Sequence, residues 1–181
     1  MQSLSIFRKT DLVPSSWAQE TVGSLFKIVG GGTPSTKNPD YWEGEIPWIT
    51  SADIHGLEKI TPRKFINATA IENSTTNLIP AKSIIVVTRV SLGKLAITNQ
   101  DLCFSQDSQA LLPKLSGQAI LPKYALYYLS VAVQEFKHQN RGTTINGVTK
   151  KQLSDLKFLV PPIAEQQRIV DKIEELFSDL D

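Results

Sequence analysis

The sequence contains one cysteine, Cys103, and two histidines among 181 residues. A lone cysteine excludes an internal disulfide and fits a reducing compartment, so a cytoplasmic location is expected. The sequons at Asn67-Ala68-Thr69 and Asn73-Ser74-Thr75 then read as chance. His55 and His138 have no nucleophile or ligand at a useful spacing, and no metal site or catalytic group is indicated. No apolar run approaches the roughly 20 residues needed to cross a bilayer, and the first nine residues lack the apolar segment of a secretory signal. A strong charge of either sign is missing as well, the net value being +1.

That average hides a segregation. From Ile163 onward six acidic residues stand against two basic ones, which leaves 17 basic and 12 acidic residues before it. A mildly basic body joined to an acidic segment is compatible with DNA contact but does not demonstrate it.

Nucleotide-binding and catalytic motifs also fail on inspection. Gly30-Gly31-Gly32 is followed by Thr33-Pro34-Ser35, with neither the lysine of a phosphate-binding loop nor the spacing of a dinucleotide fingerprint. Asn38-Pro39-Asp40-Tyr41 is similar to the Asn-Pro-Pro-Tyr motif of base-flipping amino-methyltransferases. Its third residue differs, no strand, glycine loop and helix for a methyl donor precede it, and it reads as a turn. A nuclease would need converging carboxylates, whereas Asp40 is far in sequence from Glu135-Phe136-Lys137, which falls in a predicted helix. A small DNA-modifying enzyme, an adenine methyltransferase or nuclease, is the alternative these fragments leave. No cofactor and no metal are implied for this chain.

Residues 1–16 read as a leader without periodicity. Trp17 to Val29 holds a short packed element of either type, and a Gly/Pro-rich loop follows over residues 30–39. Ile46-Pro47-Trp48-Ile49 reads as a short buried strand with proline at its edge or start. Ser83–Thr88 is the clearest strand, turning at Gly93-Lys94 into a hairpin with Leu95–Thr98. Residues 102–104 and 109–112 continue that sheet. Pro122 opens a helix with Ala125, Leu126, Leu129, Val133 and Phe136 on one face. Thr149 caps a short helix, and Phe158–Val160 forms a last strand. After Pro161-Pro162, Ile163, Val170 and Phe177 share one heptad position, and Gln166, Ile173 and Leu180 another, with Ile169 and Leu176 alongside. This amphipathic helix of about 19 residues spans roughly 28 Å. Its pattern leaves open whether it projects or folds back.

DNA-capable side chains gather in the intervening loops: Ser35, Thr36 and Lys37; Thr50 and Ser51; Arg89, Ser91 and Lys94; Gln106; and Arg141, Thr143 and Thr144. Arginine and glutamine read base edges, while serine, threonine and lysine mostly anchor phosphates.

Three stretches together resemble the specificity subunit of type I restriction-modification systems. They are Gly31–Thr36 followed by Tyr41–Ile49 and Asp53-Ile54; Arg141-Gly142-Thr143-Thr144 after a Tyr/Leu-rich helix; and Pro161-Pro162-Ile163-Ala164-Glu165-Gln166-Gln167-Arg168-Ile169. Their order and spacing match from Trp17 onward. The resemblance implies an α+β fold, with a curved, mostly antiparallel sheet, flanking helices and a C-terminal coiled-coil-type helix. Residues 17–160 would form a target recognition domain reading one half of a bipartite double-stranded DNA site, and residues 161–181 a spacer or dimerisation helix. It further implies docking of modification and restriction subunits, with S-adenosylmethionine, ATP and magnesium on those partners only. The partner-helix face would comprise Ile163, Ile169, Val170, Ile173, Leu176, Phe177 and Leu180, with Ile173 and Phe177 at its centre. One recognition domain and a short helix make the chain either a fragment or a half-subunit that homodimerises.

Overall fold

The computed structural model describes residues 13–114, 119–139 and 147–179. Its centre is a four-stranded antiparallel sheet ordered β2 (Phe26–Gly30), β10 (Ser108–Pro113), β7 (Ile84–Val87) and β8 (Leu95–Ile97). The unbroken apolar run of β7 follows from burial on both faces. Ile84 and Val86 join Leu111 and Leu95 under α3 (Pro122–Gln139), which contributes Leu126, Leu129 and Val133. Ile85 and Val87 point the other way, onto Ile49, Ile79, Leu102 and Phe104.

The α+β class, the predominance of antiparallel pairing and the terminal helix are as expected, but the strands divide among four sheets. β3 (Ile46–Ile49) lies between β6 (Lys64–Ile66) and β9 (Cys103–Phe104), and its pairing with β9 is parallel. Residues 103–104 therefore leave the central sheet that they were expected to continue. Pro47 pairs opposite Phe65 on β6, while β9 meets only Trp48 and Ile49, so no ladder donor is missed on the β9 side. β4 (Ile54–Gly56) and β5 (Lys59–Ile60) form a small hairpin. A short helix, α2 (Ala68–Glu72), follows β6, with Asn67 as its cap.

The stretch from Trp17 to Val29 resolves into three elements: β1 (Ala18–Thr21), α1 (Val22–Leu25) and β2. Thr21 and Ser24 close a capping box around α1, a single turn that lets the chain change sheets. β1 pairs with β11 (Lys157–Val160), from Ala18 opposite Val160 to Thr21 opposite Lys157. Thr149 caps α4 (Lys150–Ser154) in a box with Gln152, as its position suggested.

The last helix, α5 (Ile163–Ser178), folds back onto α3, with Lys123 against Glu174 and the Tyr127 ring 6.5 Å from that of Phe177. Val170 is part of the main core, and Ile169 packs beside it. Among the described residues no helix is long and apolar enough to cross a membrane.

Candidate nucleic-acid interface

The register of the central sheet decides where its loops go. Gly30, the last residue of β2, lies opposite Gln109 near the start of β10. Val87, the end of β7, lies opposite Ser108, and Val86 lies opposite Leu95, the start of β8. The loops after β2 and β7, and those before β8 and β10, therefore all leave from one end of the sheet. Loop groups far apart in sequence are brought together by strand direction alone.

Hydrogen bonds then knit these loops to one another. Gly32 N donates to Phe104 O at 2.9 Å, and Thr33 Oγ1 donates to Gln106 Oε1. Thr88 N and Arg89 N both donate to Asp107 O, at 2.9 and 3.1 Å. Val148 N donates to Thr88 O at 2.8 Å, and a Cβ on Gly147 would come within 3.1 Å of Arg89 Cγ. Lys94 Nζ reaches Ser51 O at 3.1 Å and Ile54 O at 3.3 Å, bringing the Thr50–Ser51 group alongside. The loop after β7 turns back through Ser91 and Gly93, both at positive φ (67° and 97°).

The expected contact residues thus fall into two sets. Ser35, Thr36, Lys37, Arg89, Ser91 and Gln106 are exposed at this end. Thr50 and Lys94 are used internally. The Thr50 hydroxyl accepts from Ala52 N and donates to Asp53 Oδ2, and Lys94 props the 51–54 turn, whose Ser51 is half-buried. Arg141, Thr143, Thr144 and Leu180 lie outside the described residues.

Asp53, which stands beside Thr50 and Ser51 in the sequence and opens the Asp53-Ile54 pair of the resemblance, is not a free DNA contact but organises this rim. Buried to 3% exposure, it accepts from Thr50 N at 2.8 Å, Thr50 Oγ1 at 3.0 Å and Arg63 Nε at 2.5 Å. Burial by itself would raise its pKa, but the bonds from Arg63 and Thr50 outweigh that and hold it below its ordinary value. The Thr50-x-x-Asp53 spacing is that of a capping box, and it is the signal for this internal role. Replacing Asp53 with alanine is expected to cost about 2 kcal/mol at pH 7, because the charge-assisted bonds are lost. With its folded pKa depressed, the contribution is whole above the unfolded value of about 3.9 and fades as pH falls through the folded one. Thermal melts of the parent and Asp53→Asn below about pH 4 should therefore converge; a constant gap would overturn the assignment.

Two other features behave structurally. Asn38 accepts from Asp40 N and opens a 3-10 turn at Pro39–Trp42, so the segment that looks like a methyltransferase motif is a turn. Cys103 is fully buried, and burial pushes its thiol up to about 11 against a hydrogen bond from Thr76, the profile of an inert core cysteine. Among the described residues no cluster of three or more His, Cys, Asp or Glu could hold a metal ion.

Comparison with known proteins places this arrangement. A family model described as the type I restriction modification DNA specificity domain matches residues 14–181. The MjaIX type I restriction enzyme specificity subunit of Methanocaldococcus jannaschii is 29% identical over 96% of this chain and 41% of its own length. The EcoR124I/EcoR124II specificity subunit of Escherichia coli is 33% identical over 86% of this chain and 40% of its own. A chain from a structural study of assembly and conformational transition in a type I R-M system superposes with a TM-score of 0.73 at 25% identity, over 93% of this chain and 40% of that one. The HsdS subunit from Thermoanaerobacter tengcongensis shares the fold, with a TM-score of 0.72 at 23% identity over 92% and 38% of the two chains. This chain spans about two-fifths of the length of these relatives.

Proposed function

The chain belongs to the type I restriction modification DNA specificity domain family, and we propose that it reads one half of a bipartite double-stranded DNA site through the loop end of its central sheet. The observation that carries this reading is the strand register, which gathers loops from four parts of the chain into one polar rim. The rim carries Lys37 and Arg89 as exposed cations, with Ser35, Thr36, Ser91 and Gln106 beside them. Arginine and glutamine supply base readout, and lysine and the hydroxyls supply phosphate contacts. Arg141, Thr143 and Thr144 belong to the same reading by sequence.

In this proposal the chain performs no chemistry. Methyltransferase and restriction subunits dock on it in the cytoplasm and bring S-adenosylmethionine, ATP and magnesium. α5 pairs with a similar helix, from a second copy or from another part of a longer chain. The low net charge of +1 fits a module that shares its phosphate clamp with partners.

The test is DNA binding by the assembled complex. Arg89→Ala should weaken binding to the modified site by about 10-fold or more and relax selectivity at one base. Lys37→Ala should weaken all sequences alike and reduce the salt slope by about one. If both variants bind as the parent does, the loop end is not the DNA interface.

A further inference from the structure

A buried polar side chain with three hydrogen bonds lies away from the recognition loops, at the joint between α5 and the body. Gln166 is fully buried on the apolar stripe of α5, and both ends of its amide are paired. Its Oε1 accepts from Leu121 N at 2.9 Å, and its Nε2 donates to Ala119 O and Pro161 O, each at 2.9 Å. One side chain therefore ties together the residues leading into α3, the double proline after β11 and the first turn of α5. Pro162, the residue before that turn, offers no side-chain cap to the helix start.

Farther along, Lys123 on α3 bridges Glu174 at 2.5 Å and Glu58 at 3.3 Å, but all three side chains are two-fifths or more exposed and solvent screens them. α3 carries the connection onward. Gln134 Nε2 donates to Gly93 O at 3.1 Å in the loop after β7, about 20 Å along the helix from Leu121.

We infer that Gln166 is the positioning residue that fixes the direction in which α5 leaves the body, and hence the angle between that helix and the recognition loops. Apolar contacts such as Val170 and Ile169 against the core tolerate sliding and small rotations. An amide with three backbone partners does not, because any other register strands a buried donor or acceptor. The consequence for DNA rests on the proposed function above. Each base pair added between two half-sites shifts them by about 3.4 Å and rotates them by about 35°. Only a stiff joint converts that displacement into lost binding.

Spin labels at Lys27→Cys and Ser178→Cys, both exposed, report the joint directly, with buried Cys103 left in place. The parent should give one narrow distance, and Gln166→Met, similar in size but without donor or acceptor, should lose that peak while remaining folded. Gln166→Ala leaves room for water to satisfy the freed backbone groups, and serves if the methionine variant does not fold. A narrow peak retained in either folded variant overturns the inference. In the assembled complex, one extra base pair of spacing should weaken the parent by about 10-fold or more and the variants by less than about threefold. Equal discrimination by parent and variants also counts against Gln166. A parent indifferent to spacing instead sinks the bipartite reading, while the label distances still decide the role of Gln166.

Discussion

Gly32→Ala is expected to abolish sequence-specific DNA binding by the assembled complex while leaving α3 and α5 in place. The reason is space. A Cβ on Gly32 would lie 2.4 Å from the carbonyl carbon and Oγ1 of Thr75 and 2.5 Å from Thr76 N. Two of those three atoms are backbone and cannot swing aside. The same glycine donates to Phe104 O and accepts from Trp48 Nε1, each at 2.9 Å, so it joins three segments at once. Displacing it costs an overpacking term and weakens two hydrogen bonds, together about 3 kcal/mol. The loss of function should exceed the loss of stability, because Thr33 and the exposed residues 35–37 follow directly and would be carried off Gln106. Binding weaker by about 100-fold or more, alongside a cooperative melt at a lowered temperature, is the expected pair of results. Parent-like affinity would mean that the rim does not depend on this close approach.

The second large effect concerns assembly. Leu176 and Phe177 are 54% and 56% exposed, side by side on the last turns of α5. Changing both to aspartate should weaken pairing with a partner helix by about 1000-fold, taking about 2 kcal/mol for each apolar side chain that no longer buries. The body should melt within about 2 kcal/mol of the parent, since neither residue is in its core and Phe177 gives up only its ring contact with Tyr127. Sedimentation and co-purification with modification subunits measure the first quantity, and a denaturant melt the second. Unchanged assembly would leave α5 as a structural helix only. The amphipathic pattern put Ile173 and Phe177 at the centre of this face. Val170 is in the core and Ile173 is half-buried, so the outward stripe is narrower and runs through Ile163, Leu176 and Phe177.

Much of the fold was legible because its strongest signals are local. The β-branched run of β7, the glycine turn before β8, the period of α3 and the Thr149 cap each act within a few residues. Harder to read were elements whose meaning lies in distant partners. The parallel pairing of Trp48 and Ile49 with Cys103 and Phe104 crosses more than 50 residues and leaves no local mark. α1 is a single turn between two strands, too short for a period to register. At the site, residue chemistry suggested which loops carry DNA-capable groups, but side-chain allegiance could not be read. Lys94 and Thr50 are chemically suited to phosphates and are used instead to hold a neighbouring turn. Gln166 did leave a trace, as a polar residue on an otherwise apolar stripe. A polar side chain in that position signals a buried, fully partnered amide.

The pairing of β1 with β11 bears on how such a body can be joined to other units. Because Ala18 lies opposite Val160, the first and last strands of the body are neighbours, about 5 Å apart, and α5 departs beside β1. A body whose first and last strands are hydrogen-bonded neighbours can be joined to helices on one side, duplicated or exchanged like a bead on a string. The seam of such a graft would fall at this doorway, and the loops at the far end of the central sheet would be left uncut.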